Sequence, residues 1–513
     1  MIFSISNSVN FRIWLLPTFG AMLFLMTAIH AIFSPNAMLG DPGIGWHLLS
    51  GRYMIENLTI LDHDIFSFTR PGQSWVTFEW MFQCLAAGIE NLGGLPLLTV
   101  VCALIYACIP LLIYRRMMLE GVNIYFSVVF TVITIIALAV HAHARPHIFT
   151  YLFFTLLVDR VIRFDRGDTS SKTLLVFIPL MIPWTNLHGG FVVAFLVVGI
   201  ACAVSCFRAY FYGIVEDRNR ARTYILLGSA MALVTLINPF GWKLHISIVK
   251  SLSMKSIHML QEWQSPDFNN DELVVRFFEF AIVMAIIALS LKKDRLNWTE
   301  VYLFIFFMSQ GFHARRQVIL FFIVASPMLA RELSMLFAKD GSWLNRRSKK
   351  LRIMLDQLKS SRIWIPASCL ILVLLSQFSP RLFRTDLHGF HLSKEAGAYI
   401  GENKDKFKRM FNTDNIGGAL VYYFSPDLQI FVDDRCDFYG DDFYMNDFMV
   451  IQQLRPTWQD VLDKYEVSSA LIGRHSPLIA LLKASTDWRL VFEDDMNTIF
   501  LRRGAFGDIR NEE

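Results

Sequence analysis

The sequence predicts a membrane all-α fold: a polytopic helical bundle of about eleven transmembrane helices, followed by a small soluble α/β domain. Three observations predict it. Of 513 residues, 54% are hydrophobic and only 18% charged, an imbalance that a water-soluble globular chain does not carry. The apolar excess is gathered into long runs, which a bilayer explains. After Pro380 the composition changes to short strand-like runs alternating with helical patterns.

The expected spans are residues 13–33, 95–114, 124–141, 147–164, 173–187, 190–212, 223–240, 274–291, 298–312, 317–335 and 363–380. Each is near the length a helix needs to cross hydrocarbon. Segment 79–92 is ambiguous: apolar, but short and bounded by Glu79 and Glu90. The spans make up an expected bundle of residues 1–380 with long outer loops at 34–78 and 238–273. Residues 381–513 form the expected extracytoplasmic domain.

Lys and Arg set the orientation. With the N-terminus in the cytoplasm, the inner loops hold Arg115 and Arg116, the Arg160–Lys172 and Arg208–Arg222 groups, Lys292, Lys293 and Arg295, and the stretch from Arg346 to Arg362. That satisfies the positive-inside rule at each inner loop. An odd number of spans then puts the C-terminal segment outside. All 13 histidines fall on the outer side of this arrangement. Either Arg and Lys simply fill the inner loops, or the outer face carries a site rich in groups that titrate near neutral pH.

In the C-terminal segment the expected strands are Arg409–Asn412, Gln429–Val432, Ala470–Ile472, Arg489–Phe492 and Thr498–Leu501, with helices over 441–454 and 457–465. Asp433, Asp434, Arg435 and Asp437 have two readings, contact with an acceptor or a turn with an internal ion-pair network.

The first outer loop gathers Asp41, His47, Asp62, Asp64 and Glu79 beside Trp46, Trp75 and Trp80. A carboxylate at the end of a first span is well placed to act as a general base. Trp at that depth also belongs to the interfacial belt of ordinary membrane proteins. Other polar groups recur at outer span ends: HAHARPH (His141 to His147), NLHGG (Asn186 to Gly190, with His188), NPFGWKLH (Asn238 to His245), QEWQSPDF (Gln261 to Phe268, with Glu262) and HARR (His313 to Arg316). Arg145, Arg315 and Arg316 lie near membrane depth, where a cation needs an anionic partner. Loop carboxylates can supply it, and so can a phosphate, which matches the fork of arginine donors.

Metal spacing is weak. Of His141, His143 and His147 only the last two align on one helical face, and Pro146 disturbs that helix. No metal is required by the pattern, and a divalent metal completed by carboxylates stays open. The seven cysteines form no readable disulfide framework. The charge balance of +4 gives no reason for a nucleic-acid partner. Asn57 and Asn297 match the glycosylation sequon, a common chance match.

The run from Asp41 to Trp80 resembles the first-loop pattern of bacterial multi-pass membrane proteins of the GT-C glycosyltransferase superfamily, dolichyl- or polyprenyl-phosphate-sugar mannosyltransferase-like. The matching residues are Asp41, Trp46, His47, Leu48, Gly51, Asp64, Phe66, Ser67, Thr69, Gly72, Trp75, Glu79 and Trp80. The ARPH, WTNLHGG, NPFG, EWQSPDF and HARR segments are similar too, as are Gly417-Gly418 and FVDDRCDFYG at 431–440. The resemblance implies an enzyme of the bacterial inner membrane. It would move a sugar from a polyprenyl-phosphate donor to a glycan, lipid or protein acceptor on the outer face. It implies an acid of the first loop, Asp41 by position, acting on the acceptor hydroxyl. It also implies Arg145, Arg315, Arg316 and His313 holding the departing phosphate, with His188 and Glu262 beside them. Three positions depart from the family pattern, one of them Leu61 where Pro is usual. Gly43 stands where a second acid follows Asp-Pro, and Gly45 where the first Trp of a pair stands. If that second acid is the catalytic one in relatives, Asp64 or Glu79, with His47 nearby, has to serve. The competing reading is a non-catalytic scaffold or a transporter for envelope polysaccharide. A transporter should show repeats and polar groups at mid-bilayer, whereas here the polar groups lie at outer span ends.

Overall fold

A computed structural model describes residues 18–34, 38–291, 297–337, 343, 346–351 and 363–503. Lys292, Lys293, Arg295, part of the Arg346–Arg362 stretch and the start of the expected first span lie outside the described residues. The chain divides into two compact units. One comprises Met1–Met38, Thr99–Asn238 and Gln261–Phe383; the other comprises Leu39–Leu98, Pro239–Leu260 and Arg384–Glu513. The unit holding the C-terminal segment therefore also holds most of the long first loop and part of the second.

The first unit is helical. Every expected apolar run forms a helix or part of one: Phe19–Phe33, Trp80–Leu119, Ile124–Ala139, His147–Asp165, Phe177–Leu187, Val192–Phe211, Val215–Val234, Leu273–Ser290, Trp298–His313, Val318–Leu336 and Trp364–Phe378. Among the described residues, four helical stretches are long and apolar enough to cross a membrane: Trp80–Leu119, Gly189–Phe211, Leu273–Ser290 and Arg315–Leu336. Phe19–Phe33, Ile124–Ala139 and Trp364–Phe378 are shorter apolar helices. Polar caps start several of them. Thr18 accepts from the Ala21 N–H at 3.1 Å, and Asn297 accepts from the Glu300 N–H at 2.8 Å, satisfying donors that a helix N-terminus leaves open. Val318–Leu336 is buried on all sides from Val318 to Ala330, so it runs through the middle of this unit. It crosses Ile124–Ala139, where Thr134 and Ser326 share a 2.8 Å hydrogen bond.

The ambiguous segment 79–92 turns out to begin the Trp80–Leu119 helix. That helix breaks at Gly93 and Gly94, whose φ is −155° and +69°. Gly94 adopts the left-handed region at little cost because it has no Cβ.

At one end of the first unit, Arg116, Arg166 and Arg331 converge on Glu120 and Glu300. Glu300 accepts from Arg116 at 3.2 Å, Arg166 at 2.8 Å and Arg331 at 2.5 Å. Glu120 pairs with the same three arginines at 3.0 to 3.2 Å. Asp159 and Glu332 add further pairs with Arg116 and Arg331. Glu300 is 1% exposed. Such a network compensates buried charge by saturating it.

The second unit carries a four-stranded sheet, β1 (Met410–Asn412), β2 (Ser469–Gly473), β3 (Trp488–Glu493) and β4 (Asn497–Arg502), in the order β1-β2-β4-β3. β1 and β2 are parallel; the other pairs are antiparallel. The expected strand Gln429–Val432 forms isolated bridges instead. The reason is that Ile430 pairs with the first loop: its N–H donates to the Phe66 carbonyl at 3.0 Å and its carbonyl accepts from Phe68 at 3.1 Å. One core joins both regions, with Trp46, Phe66 and Trp75 packed among Phe411, Leu420, Phe431 and Phe438. Helix Ile44–Asn57 and helix Asp414–Phe424 meet backbone to backbone. A Cβ on Gly45 would lie 1.9 Å from the Gly418 carbonyl oxygen, and one on Gly418 would lie 1.8 Å from that of Pro42. Only glycine permits this approach, which accounts for Gly45 where a Trp pattern would be expected.

Candidate functional site

The candidate residues fall into two groups, one in each unit. In the first unit the groups read at outer span ends come together. The QEWQSPDF segment lies against HARR: the Arg315 N–H donates to the Gln264 carbonyl at 2.9 Å, and the Ser265 hydroxyl donates to the Phe312 carbonyl at 2.7 Å. Arg316 donates to Glu262 at 2.9 Å and lies 4.6 Å over the Trp263 ring. Arg315 donates to Glu272. These local carboxylates answer the need for anionic partners. Glu272 was not singled out in the sequence. Its signal was an acid placed directly before the apolar run that begins at Leu273.

The Glu262 carboxyl is half-buried, yet Arg316 and Arg145, followed by His141 and His143, hold it down to about 2 against the opposing pull of burial. His141 stands just past the end of Ile124–Ala139. Its ring stands close enough to Glu262, Arg316, His143 and Arg145 to feel their charges. His188 is lowered to about 3, by burial first and then by Arg316 and Arg145. These mutual effects mean that Arg145, Arg316, Glu262, His141 and His188 share one electrostatic neighbourhood.

The geometry at His188 defines its tautomer. Its Nδ1 accepts from the Gly190 N–H at 3.2 Å and lies 2.8 Å from the Thr150 hydroxyl. That hydroxyl in turn accepts from the Trp184 indole at 2.9 Å. With Nδ1 an acceptor, a neutral ring carries its proton on Nε2. A Cβ on Gly190 would strike the ring 2.5 Å from Nδ1, so the glycine of NLHGG belongs to the same fitting. His147 is buried and its Nε2 lies 2.9 Å from the His141 carbonyl. His313 is exposed at the C-terminal end of its helix. Among the described residues no three His, Cys, Asp or Glu side chains are gathered as metal ligands would be.

In the second unit, the first-loop candidates separate by environment. Asp64 is buried with both oxygens engaged. Oδ1 accepts from Arg435 at 2.8 Å, and Oδ2 accepts from the Ser67 N–H and hydroxyl at 2.8 and 2.7 Å. Asp433 holds Arg435 from the other side at 2.7 to 2.9 Å. The guanidinium stands among five aromatic rings, nearest Trp75 at 4.5 Å and Phe438 at 4.7 Å. Burial pushes the Asp433 carboxyl up to about 6 against the pull of Arg435. The internal ion-pair reading of this stretch therefore describes Asp433 and Arg435. His47 is 1% exposed, tilted 30° to the Trp46 ring with centroids 3.7 Å apart and edge-on to Phe82, with Glu79 3.8 Å from its Nε2. Asp41 is 4% exposed. Its Oδ1 accepts from the Gly43 N–H at 2.8 Å, an Asx turn that leads into helix Ile44–Asn57. Asp434 accepts from the Trp46 indole at 2.6 Å.

No known family model and no curated protein sequence matches the chain. Solved structures do match. The apo oligosaccharyltransferase of Archaeoglobus fulgidus aligns with a TM-score of 0.52 at 11% identity, over 90% of this chain and 69% of that one. The same enzyme tethered to an acceptor peptide containing the NVT sequon aligns at 0.51 and 10%, with the same coverage. ArnT from Cupriavidus metallidurans, bound to undecaprenyl phosphate, aligns at 0.43 and 12% over 98% of each chain. The chain shares its fold with that oligosaccharyltransferase.

Proposed function

We propose that the protein is a membrane glycosyltransferase that moves a sugar from a polyprenyl-phosphate donor to a glycan, lipid or protein acceptor at the outer face of a bacterial inner membrane. On this reading the eleven helices of the first unit span the bilayer, with the N-terminus in the cytoplasm and the C-terminal segment outside. The observation that carries the proposal is the cationic neighbourhood of Arg145, Arg316 and Arg315. Arg316 pairs there with Glu262 and Arg315 with Glu272, and Arg145 acts on the same Glu262 carboxyl. The fold shared with the oligosaccharyltransferase supports it.

The chemistry follows from the charges. As the acceptor oxygen attacks the anomeric carbon, the carbon–oxygen bond to phosphate breaks, and its electron pair leaves with the lipid phosphate. Positive charge grows at the sugar and negative charge at the phosphate, so fixed cations on one side and a carboxylate on the other lower the barrier. Arg145, Arg315 and Arg316 receive the phosphate, and His188 donates from Nε2. The acceptor hydroxyl proton goes to a carboxylate of the first loop, Asp41 by position. The displacement proceeds with inversion at the anomeric carbon. Asp64, with both oxygens engaged, braces the loop rather than reacting.

The test uses the full-length protein in proteoliposomes with a panel of undecaprenyl-phosphate-linked hexoses and pentoses and a membrane extract as acceptor source. Wild type is expected to release undecaprenyl phosphate with at least one donor, and Arg316→Ala and Asp41→Asn to lose that release. Full release by both variants would contradict the assignment. No release by wild type with any donor would favour a scaffold.

A further inference from the structure

We infer that the helix Trp242–Leu252, in the second long loop, is a lipid-contacting element that lies along the surface of an anionic membrane. The inference goes beyond the proposed transfer reaction and needs only that the chain is a membrane protein.

The helix reads WKLHISIVKSL. Trp242, Ile246 and Val249 share one stripe, as positions i, i+4 and i+7 of a helix do. Leu244 and Ile248 lie on the other side and are buried. The first stripe is open: Trp242 is 63% exposed, Ile246 55% and Val249 68%. A helix on the surface of a water-soluble protein turns its apolar stripe inward and polar residues outward. This helix is apolar on both sides. The inward stripe seats it on the protein, and the outward stripe calls for an apolar environment beyond the protein.

Charge identifies the occupant. Lys243 and Lys250, seven positions apart, stand together along one flank of the open stripe, and both are exposed. Lys255 follows and is exposed too. Residues 239–260 carry these three lysines, two histidines and no acid. Tryptophan and aliphatic side chains flanked by lysine suit the boundary between lipid headgroups and acyl chains. The apolar groups enter the acyl region, and the indole sits at the boundary. The ammonium groups reach lipid phosphates while their stems lie along apolar surface. A protein groove would have to bring acids of its own to meet the lysines. An anionic bilayer surface supplies both chemistries at once. In sequence the helix stands between Val215–Val234 and Leu273–Ser290, the second of which is long and apolar enough to cross a membrane.

The helix is not a free arm. Just beyond its C-terminal end the Lys255 and Ser256 N–H groups donate to Asp441 at 3.0 and 2.8 Å. The Cys436 thiol donates to the Ser256 hydroxyl oxygen at 3.3 Å. Lipid contact through Trp242, Ile246 and Val249 is thereby passed to the C-terminal segment, and the helix fastens that segment to the membrane surface.

Two measurements on the full-length protein test this, both in nanodiscs of phosphatidylethanolamine and phosphatidylglycerol. With p-benzoylphenylalanine in place of Val249, irradiation is expected to give lipid adducts at least about tenfold above those from the same label in place of Asp495. Asp495 is exposed on the same unit beside Glu493 and Asp494. Equal yields from the two positions would overturn the inference, as would adducts from position 249 to a second copy of the chain instead of lipid. The second measurement needs no label. Amide hydrogen exchange over residues 243–252 is expected to be faster by on the order of tenfold in neutral phosphatidylcholine nanodiscs. The same acceleration is expected for Lys243→Gln/Lys250→Gln in the anionic ones, with melting in detergent unchanged. Exchange that ignores both lipid charge and the lysines would overturn the inference.

Discussion

The two ends of the first unit carry similar residues arranged for opposite purposes. At one end three arginines meet four acids, Glu120, Asp159, Glu300 and Glu332. Glu300 alone binds three guanidinium groups. At the other end Arg315 pairs with Glu272 and Arg316 with Glu262, and the neutral His188 stands in the field of Arg316 and Arg145. An arginine surrounded by several carboxylates has no capacity left for a ligand and serves as a brace. An arginine with a single partner, beside imidazoles held neutral, keeps donors and positive potential for an incoming anion. Counting arginines does not separate a brace from a binding site; counting the carboxylates around each one does.

The comparison can be broken by substitution. The largest effect is expected at the saturated end. Glu300→Ala would leave the buried Arg116 and the half-buried Arg166 and Arg331 short of their shared partner, and breaking such a network costs about 3–5 kcal/mol. Thermal melting in detergent should show a large loss of stability, and a variant that melts like wild type would remove the brace. The second effect belongs to the other end. Arg316→Ala should lower sugar transfer by about 10²-fold, in the range found on removing one fixed donor from a reaction's developing charge, while melting changes by much less. A variant that loses stability and transfer together would make the two ends alike. The smallest effect is a pH dependence. His188 has a pKa near 3 in the folded protein, lowered by burial, against about 6.5 when unfolded. The unfolded chain therefore binds a proton first as pH falls. The stability that goes with neutral His188 is present above pH 6.5 and is lost progressively below it, by about 1 kcal/mol near pH 5.5. His188→Gln should flatten the melting profile between pH 7 and 5; an unchanged slope would remove His188 as its source.

Much of this was legible in the sequence for physical reasons. Apolar runs report helices because a backbone away from water must satisfy its own hydrogen bonds, and each expected run contains a helix among the described residues, four of the helical stretches being long and apolar enough to cross a membrane, with Pro146 at the start of its helix rather than within it. The clustering of Arg145, His188, Glu262 and Arg316 was legible because all lie at span ends on one side. What was hidden depends on contacts remote in sequence. Gln429–Val432 reads as a strand by composition, but Ile430 alone is bridged, to Ser67 of the first loop on one side and to Met410 of β1 on the other. Asp64 reads as a catalytic acid until Arg435 is placed against it. Gly43 and Gly45 read as gaps in a pattern; in three dimensions they are the points where Asp434 and Gly418 enter. Glycine carries no signal of what comes to occupy its space.

The most direct test of the central claim is binding of undecaprenyl phosphate to the purified protein in nanodiscs, compared between wild type and Arg145→Ala/Arg316→Ala. Saturable binding by wild type, lost in the double variant and retained in Asp64→Asn variants that still fold, is the predicted result. Equal binding by wild type and the double variant would contradict it.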